Sequence, residues 1–253
     1  MSLVRETRLI FRRYLMLSLR EPGWVVAGLS QPIVFLILYG PLMTRMISSP
    51  QTSSAQAWQI YVPGVLVQLG LFGAAFVGFT IIAEWRAGIF DRLRVTPASR
   101  LALLLGRVLR DVLVLTVQAV ILVLVAIPFG LRTSIAGVLV AMAIVAVMAS
   151  SLSALSYTLG LALKSEAALG PMLNSLTMPL ILLSGVLLPM SFAPAWLDLM
   201  SRFTPFRYVV DAIRDAFLGR FGSGQMLQGA AVTVGFAVLS MALAVHTFRR
   251  QSA

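Results

Sequence analysis

The sequence predicts an all-α, polytopic membrane protein with six transmembrane helices, on three observations. Of its 253 residues, 59% are hydrophobic and only 11% are charged, against roughly 25% charged in a soluble domain. The apolar residues fall in runs, several of them long enough to cross a hydrocarbon core of about 30 Å. The arginines crowd the ends of those runs, where interfacial charge belongs. A soluble fold of this length would need far more polar surface than the composition supplies.

The same composition removes whole classes of function. Cysteine is absent, so disulfides, thiolate nucleophiles and thiolate metal sites are excluded. The single histidine, His246, cannot form a histidine cluster and is expected at the membrane interface. The net charge of +11 is almost all arginine, with Lys164 the one lysine. Because these arginines sit beside apolar runs, anionic lipid headgroups are the expected partner and nucleic acid is not. The arginine bias is associated in composition with high-GC bacterial genomes, and the expected location is a bacterial plasma membrane. The first long apolar run lacks an Ala-x-Ala cleavage site and is expected to stay as a spanning helix.

Residues 1–23 place Leu3, Leu9, Ile10, Leu15 and Leu19 among five arginines at helical spacing. This predicts an amphipathic interfacial helix, a disordered basic tail being the alternative. Span one is expected over 24–46, with Trp24 as interfacial anchor. Its internal Gln31-Pro32 frees a backbone carbonyl that needs another partner. A polar loop leads to span two, 59–82, whose Gly64, Gly70, Gly73 and Gly78 permit close helix packing, with a glycine-lined passage as the lesser reading. The most charged internal segment follows, with Glu84, Arg86, Asp91, Arg92 and Arg94 around an apolar stripe of Ile89, Phe90, Leu93 and Val95. It reads as a short amphipathic helix over 84–96 at the membrane surface.

Span three is expected over 104–127, span four over 135–161 and span five over 169–188. The hydroxyls Ser150, Ser151, Ser153 and Ser156 of span four either return hydrogen bonds to their own helix or line a polar path. Pro171 and Pro179 interrupt the regularity of span five. The loop 189–224 carries two amphipathic stretches, 194–203 and 206–218, and span six covers 226–247. With an even number of spans both termini share one side. Placing them in the cytoplasm puts 14 of the 20 basic residues inside, as the positive-inside rule favours.

No catalytic constellation and no metal-ligand spacing is present. Within the apolar runs the notable carboxylate is Asp111, beside Arg110 near the inner end of span three, where a local pairing is expected. Ion-coupled transporters carry carboxylates deep in the membrane. A chain without one must draw its energy from elsewhere.

Two segments carry a family resemblance. Glu84, Arg86, Gly88, Asp91, Arg92, Leu93, Thr96, Pro97 and Ser99 match one motif. Ser184-Gly185 with Pro189, Pro194-x-Trp196, and Pro205-x-x-Tyr208-x-Val210-Asp211-Ala212-x-Arg214 match a second. Together, and with the length and span order, they resemble the membrane subunit of an ABC-2 type exporter, the group that includes daunorubicin-resistance-like permeases. Thr204, Phe206-Arg207 and Ala87 depart from the usual residues of those motifs.

The resemblance implies a half-transporter treated as one ABC-2 type transmembrane domain over 1–253. Two copies of a separate cytosolic ABC ATPase, which bind ATP and Mg²⁺, would sit beneath it, and a second copy or a sister permease would complete the membrane part. This chain itself would hold no cofactor. Residues Glu84, Arg86, Gly88, Phe90, Asp91, Arg92 and Leu93 would form the coupling helix that docks into the ATPase. Pro194, Trp196, Pro205, Tyr208, Asp211 and Arg214 would belong to re-entrant outer helices between spans five and six. That both segments merely line the interface explains their periodicity equally well. The expected cargo is a hydrophobic or amphipathic compound, a drug, antibiotic or lipid-like molecule. Lipid-linked polysaccharide export, a non-transporting scaffold or immunity protein of the same fold, and a secondary transporter are the rivals.

Overall fold

The computed structural model describes residues 3–20, 22–48, 53–88, 99–187, 189–190 and 193–250. Phe90, Asp91, Arg92 and Leu93 therefore lie outside the described residues, as does most of the stretch 84–96. Among the described residues, six helices are long and apolar enough to cross a membrane, and the chain is an all-α, six-span membrane protein.

Helix α1, Leu3–Arg20, precedes the spans. Span one is built from α2, Pro22–Val34, a π-helical turn at Phe35–Tyr39, and α3, Gly40–Ile47. The widened turn follows Pro32, whose missing N–H breaks the regular ladder. Tyr61 of span two donates its hydroxyl to the Phe35 carbonyl inside that turn, at 3.0 Å.

Span two is α4, Ser54–Ala75, followed by α5, Gly78–Arg86. Ser53 and Gln56 close a reciprocal capping box at its start, which satisfies two of the orphan donors there. Span three is α6, Arg100–Ala126; span four is α7, Ile135–Leu163; span five is α8, Glu166–Leu183. Two shorter helices, α9 (Ala195–Ser201) and α10 (Pro205–Phe217), lie before span six, α11, Gly224–Arg250.

Span two is the centre of the bundle. Its most apolar stretch is 72% buried, against 17% for span one and 22% for spans five and six. The glycines explain how neighbours come so close. A Cβ on Gly64 would lie 1.9 Å from the Val186 carbonyl oxygen, and one on Gly78 would lie 2.5 Å from that of Ser156. Across the same crossing, a Cβ on Gly160 of span four would lie 2.7 Å from the Gly78 carbonyl oxygen. Backbones in contact maximise dispersion where lipid offers no hydrophobic drive.

The break between α4 and α5 is bridged from span four. The Ser156 hydroxyl accepts from the Gly78 N–H at 2.8 Å and donates to the Ala75 carbonyl. It thereby satisfies a donor and an acceptor left open by the interruption. Ser150 and Ser151 instead bond back to the Val147 carbonyl of their own helix.

Candidate coupling site

The end of the bundle beside α1 is assembled from four segments distant in sequence. Helix α1 turns one stripe, Glu6, Ile10, Tyr14 and Ser18, toward span three. A four-residue spacing keeps such residues on one helix face. The Glu6 carboxylate accepts from the Ser99 N–H at 2.8 Å, so α1 supplies a partner for the first turn of α6. Ile10 lies against Gly106, where a Cβ would approach its side chain to 2.6 Å. Arg5, Arg8, Arg12, Arg13 and Arg20 stay exposed. The bundle-facing side of this helix is thus partly polar, whereas hydrophobic side chains such as Leu9 and Leu19 face outward.

At the centre of this end, Arg107 of span three pairs with Glu84 of span two. Arg107 Nη2 also donates to the Tyr14 hydroxyl at 2.7 Å, and that hydroxyl donates to Glu84 at 3.1 Å. The guanidinium lies 5.0 Å from the Tyr14 ring centroid, within cation–π range. Burial pushes the Tyr14 phenol above its ordinary range, so it remains a donor at neutral pH. Three helices are joined here through one carboxylate.

One turn farther in, Arg110 donates to Asp111 at 2.6 Å and to the Ser18 hydroxyl at 2.6 Å. This is the local pairing the sequence suggests. Asp111 has a second partner, because Tyr157 of span four donates to it at 2.5 Å. Asp111 is buried, eleven residues from the first residue of α6.

Of the residues proposed for coupling, Glu84 is at the heart of this cluster. Arg86 reaches Glu166, the first residue of span five, at 3.3 Å in an exposed pair. Gly88 closes the described part of span two with φ of +67° and open space around its Cβ position. The left-handed backbone, not crowding, is what calls for glycine there. Sequence reasoning missed Tyr14, Arg107 and Tyr157. The signal was faint: an arginine and a tyrosine inside apolar runs, each without an obvious partner nearby.

The residues of the 189–224 loop form a second assembly. Pro194 stands before α9 and Pro205 opens α10, where a missing N–H costs nothing. Arg214 is buried, although helical periodicity assigns it to the polar face. It donates to the Ile60 carbonyl at 2.9 Å and the Gly185 carbonyl at 2.6 Å, and pairs with Asp211 at 3.3 Å. One side chain therefore fastens α10 to span two and to the end of span five. Burial raises the Asp211 carboxyl above its ordinary range and lowers the Arg214 guanidinium below its own.

Tyr208 donates to the Arg202 carbonyl at 3.0 Å. Arg202 and Arg207 both pair with Asp198, at 2.7 and 2.6 Å. Hydrogen bonding to Arg202 leads in holding Asp198 below the usual carboxylate range. Trp196 is 63% exposed, consistent with an interfacial position for an amphipathic ring. No group of three acidic or histidine side chains suited to a metal occurs among the described residues. Each assembly ties separate helices together.

A family model described as ABC-2 type transporter matches residues 5–218. The chain is 24% identical over 213 residues to "Putative transport permease ycf38" of Cyanophora paradoxa, covering 83% of this chain and 73% of that protein. It is 24% identical over 224 residues to "Daunorubicin resistance ABC transporter permease protein DrrB1" of Streptomyces coeruleorubidus, covering 88% and 78%. A protein of Pyropia yezoensis with the ycf38 name is 26% identical over 220 residues, covering 84% and 74%.

Proposed function

From its membership in the ABC-2 type transporter family, shown by a match over most of its length, we propose that this membrane permease is the transmembrane half of an ATP-driven exporter. Two copies of a separate cytosolic ATPase, holding ATP and Mg²⁺, would dock under the segment from Glu84 to Leu93. A second copy of the chain, or a sister permease, would complete the pathway. Both termini would face the cytoplasm of a bacterial cell. The cargo would be a hydrophobic or amphipathic compound such as a drug, antibiotic or lipid-like molecule, as in the daunorubicin-resistance branch.

The observation that carries this reading is the connection of Glu84 to Tyr14 of α1 and Arg107 of span three. Closure of the ATPases would push on 88–93, and that displacement would reach α1 and span three through Glu84. It would reach span five through Arg86 and Glu166, and span four through Asp111 and Tyr157. The exposed arginines of α1 offer a further surface to the ATPase or to anionic headgroups. Outside, Arg214 would hold α9 and α10 over the exit.

One feature favours a second cargo class. Phe72, Phe76 and Phe79 of span two stack along one face, with centroids 6.4 and 5.9 Å apart and near-parallel planes. Such half-buried rings suit the apolar faces of sugars as well as flat drugs, which keeps lipid-linked saccharide in view.

The test replaces Phe90, Asp91, Arg92 and Leu93 together by alanine in the complex reconstituted with its ATPase. A panel of hydrophobic dyes and lipid-linked saccharides supplies the cargo. Export of whichever probe the wild type moves is expected to fall at least tenfold, with membrane insertion and ATP hydrolysis retained. Unchanged export would overturn the coupling role.

A further inference from the structure

Spans four and six leave a groove between them on the outer surface of the bundle, about 710 Å³ in volume. Val147 and Ser150 form one wall. Val234, Val238, Ala242 and His246 recur at four-residue intervals down the other. The face continues from the middle of span six to its end at the α1 side, where Phe248 joins the inner apolar cluster with Leu104 and Leu161.

We propose that this groove holds one acyl chain of a phospholipid from the leaflet on the α1 side, with the lipid phosphate at His246. Two observations support this occupant. The distance from Val234 to His246 is twelve residues, about 18 Å of helical rise, and one leaflet's hydrocarbon is about 15 Å thick. The only ring-nitrogen donor on the groove is at its headgroup end, and the sequence continues there into Arg249 and Arg250. Imidazole N–H is a competent partner for a phosphate oxygen, and basic residues at this depth attract anionic headgroups. The inference needs only the membrane placement and stands apart from the export reading.

The test uses the full chain in mild detergent, stripped of native lipid and then given palmitoyl phosphatidylglycerol. Bound lipid is counted by native mass spectrometry. The wild type is expected to retain one lipid per chain. Ala242→Phe, which fills the groove, is expected to lower occupancy at least fivefold. Leu243→Phe, at an exposed neighbour on the same helix, is expected to leave it unchanged. Ala237→Phe serves as the filling variant should Ala242→Phe lower the melting temperature. Equal occupancy in the filling and control variants would overturn the proposal, as would a wild type that binds no lipid. So would a disulfide between two copies of Ala242→Cys in this otherwise cysteine-free chain, because it would assign the groove to a partner chain.

Discussion

Arg107→Met is expected to cost about 3–5 kcal/mol, the usual penalty for removing one member of a buried ion pair, and to lower the unfolding temperature accordingly. The Arg107 side chain is 3% exposed and its partner Glu84 is 18% exposed. Without the guanidinium, the carboxylate would keep the Tyr14 hydroxyl but lose the partner of opposite charge described for it. Thermal unfolding in detergent, followed by size-exclusion fluorescence, measures the loss. Adding Glu84→Gln to Arg107→Met is expected to recover a large part of it, because the uncompensated charge goes too. Arg86→Ala is the control. Its pair with Glu166 is exposed on both sides and is expected to be worth about 0–1 kcal/mol. Equal losses for Arg86→Ala and Arg107→Met would show that the cluster is not what holds α1 to the spans.

Arg214→Leu is expected to release α10 from the bundle. It removes the donors to the Ile60 and Gly185 carbonyls and leaves Asp211 with one pairing fewer. Each buried group left unsatisfied costs about 1–3 kcal/mol, so a combined loss of about 2–4 kcal/mol is expected. Arg214→Lys is expected to rescue little, since a single ammonium cannot reproduce the planar fork that reaches two carbonyls and a carboxylate. Hydrogen exchange over residues 205–217 reads the result directly. Protection is expected to fall by one to two orders of magnitude there and to stay unchanged over 135–163. Wild-type protection of 205–217 in Arg214→Leu would assign the anchoring to the apolar face of Val209, Ile213 and Phe217 instead.

The six-helix membrane fold and the family were legible because hydropathy and the two charged segments report them locally. The apolar runs need no partner to be recognised, and Glu84–Ser99 and Ser184–Arg214 keep their residues in fixed register. The candidate site was only half legible. Glu84 and Arg214 stood out by motif, but their partners come from elsewhere in the chain. Tyr14, Glu84 and Arg107 are brought together only by the packing of α1 on spans two and three. Asp111 looks paired by its neighbour Arg110, and nothing in the local pattern announces Tyr157, 46 residues away.

Periodicity also misleads at one point. It puts Arg214 on the polar face of 206–218, whereas backbone carbonyls of two other elements accept from it. The reason is general. Inside a membrane protein, open backbone groups and charged side chains satisfy one another, so polarity marks contact with protein as often as contact with water. The Phe72–Phe76–Phe79 ladder escaped notice for a simpler reason: residues three and four apart make a stripe on a helix and no run in a sequence.

The most direct measurement is the composition of the assembly. The chain would be expressed together with its genomic neighbours, extracted in a mild detergent or a nanodisc, and weighed intact. The account predicts a particle of two permease chains and two ATPase chains. Recovery of the permease without any ATPase, under every mild extraction condition, would contradict it and leave a membrane protein of this fold that does not draw on ATP.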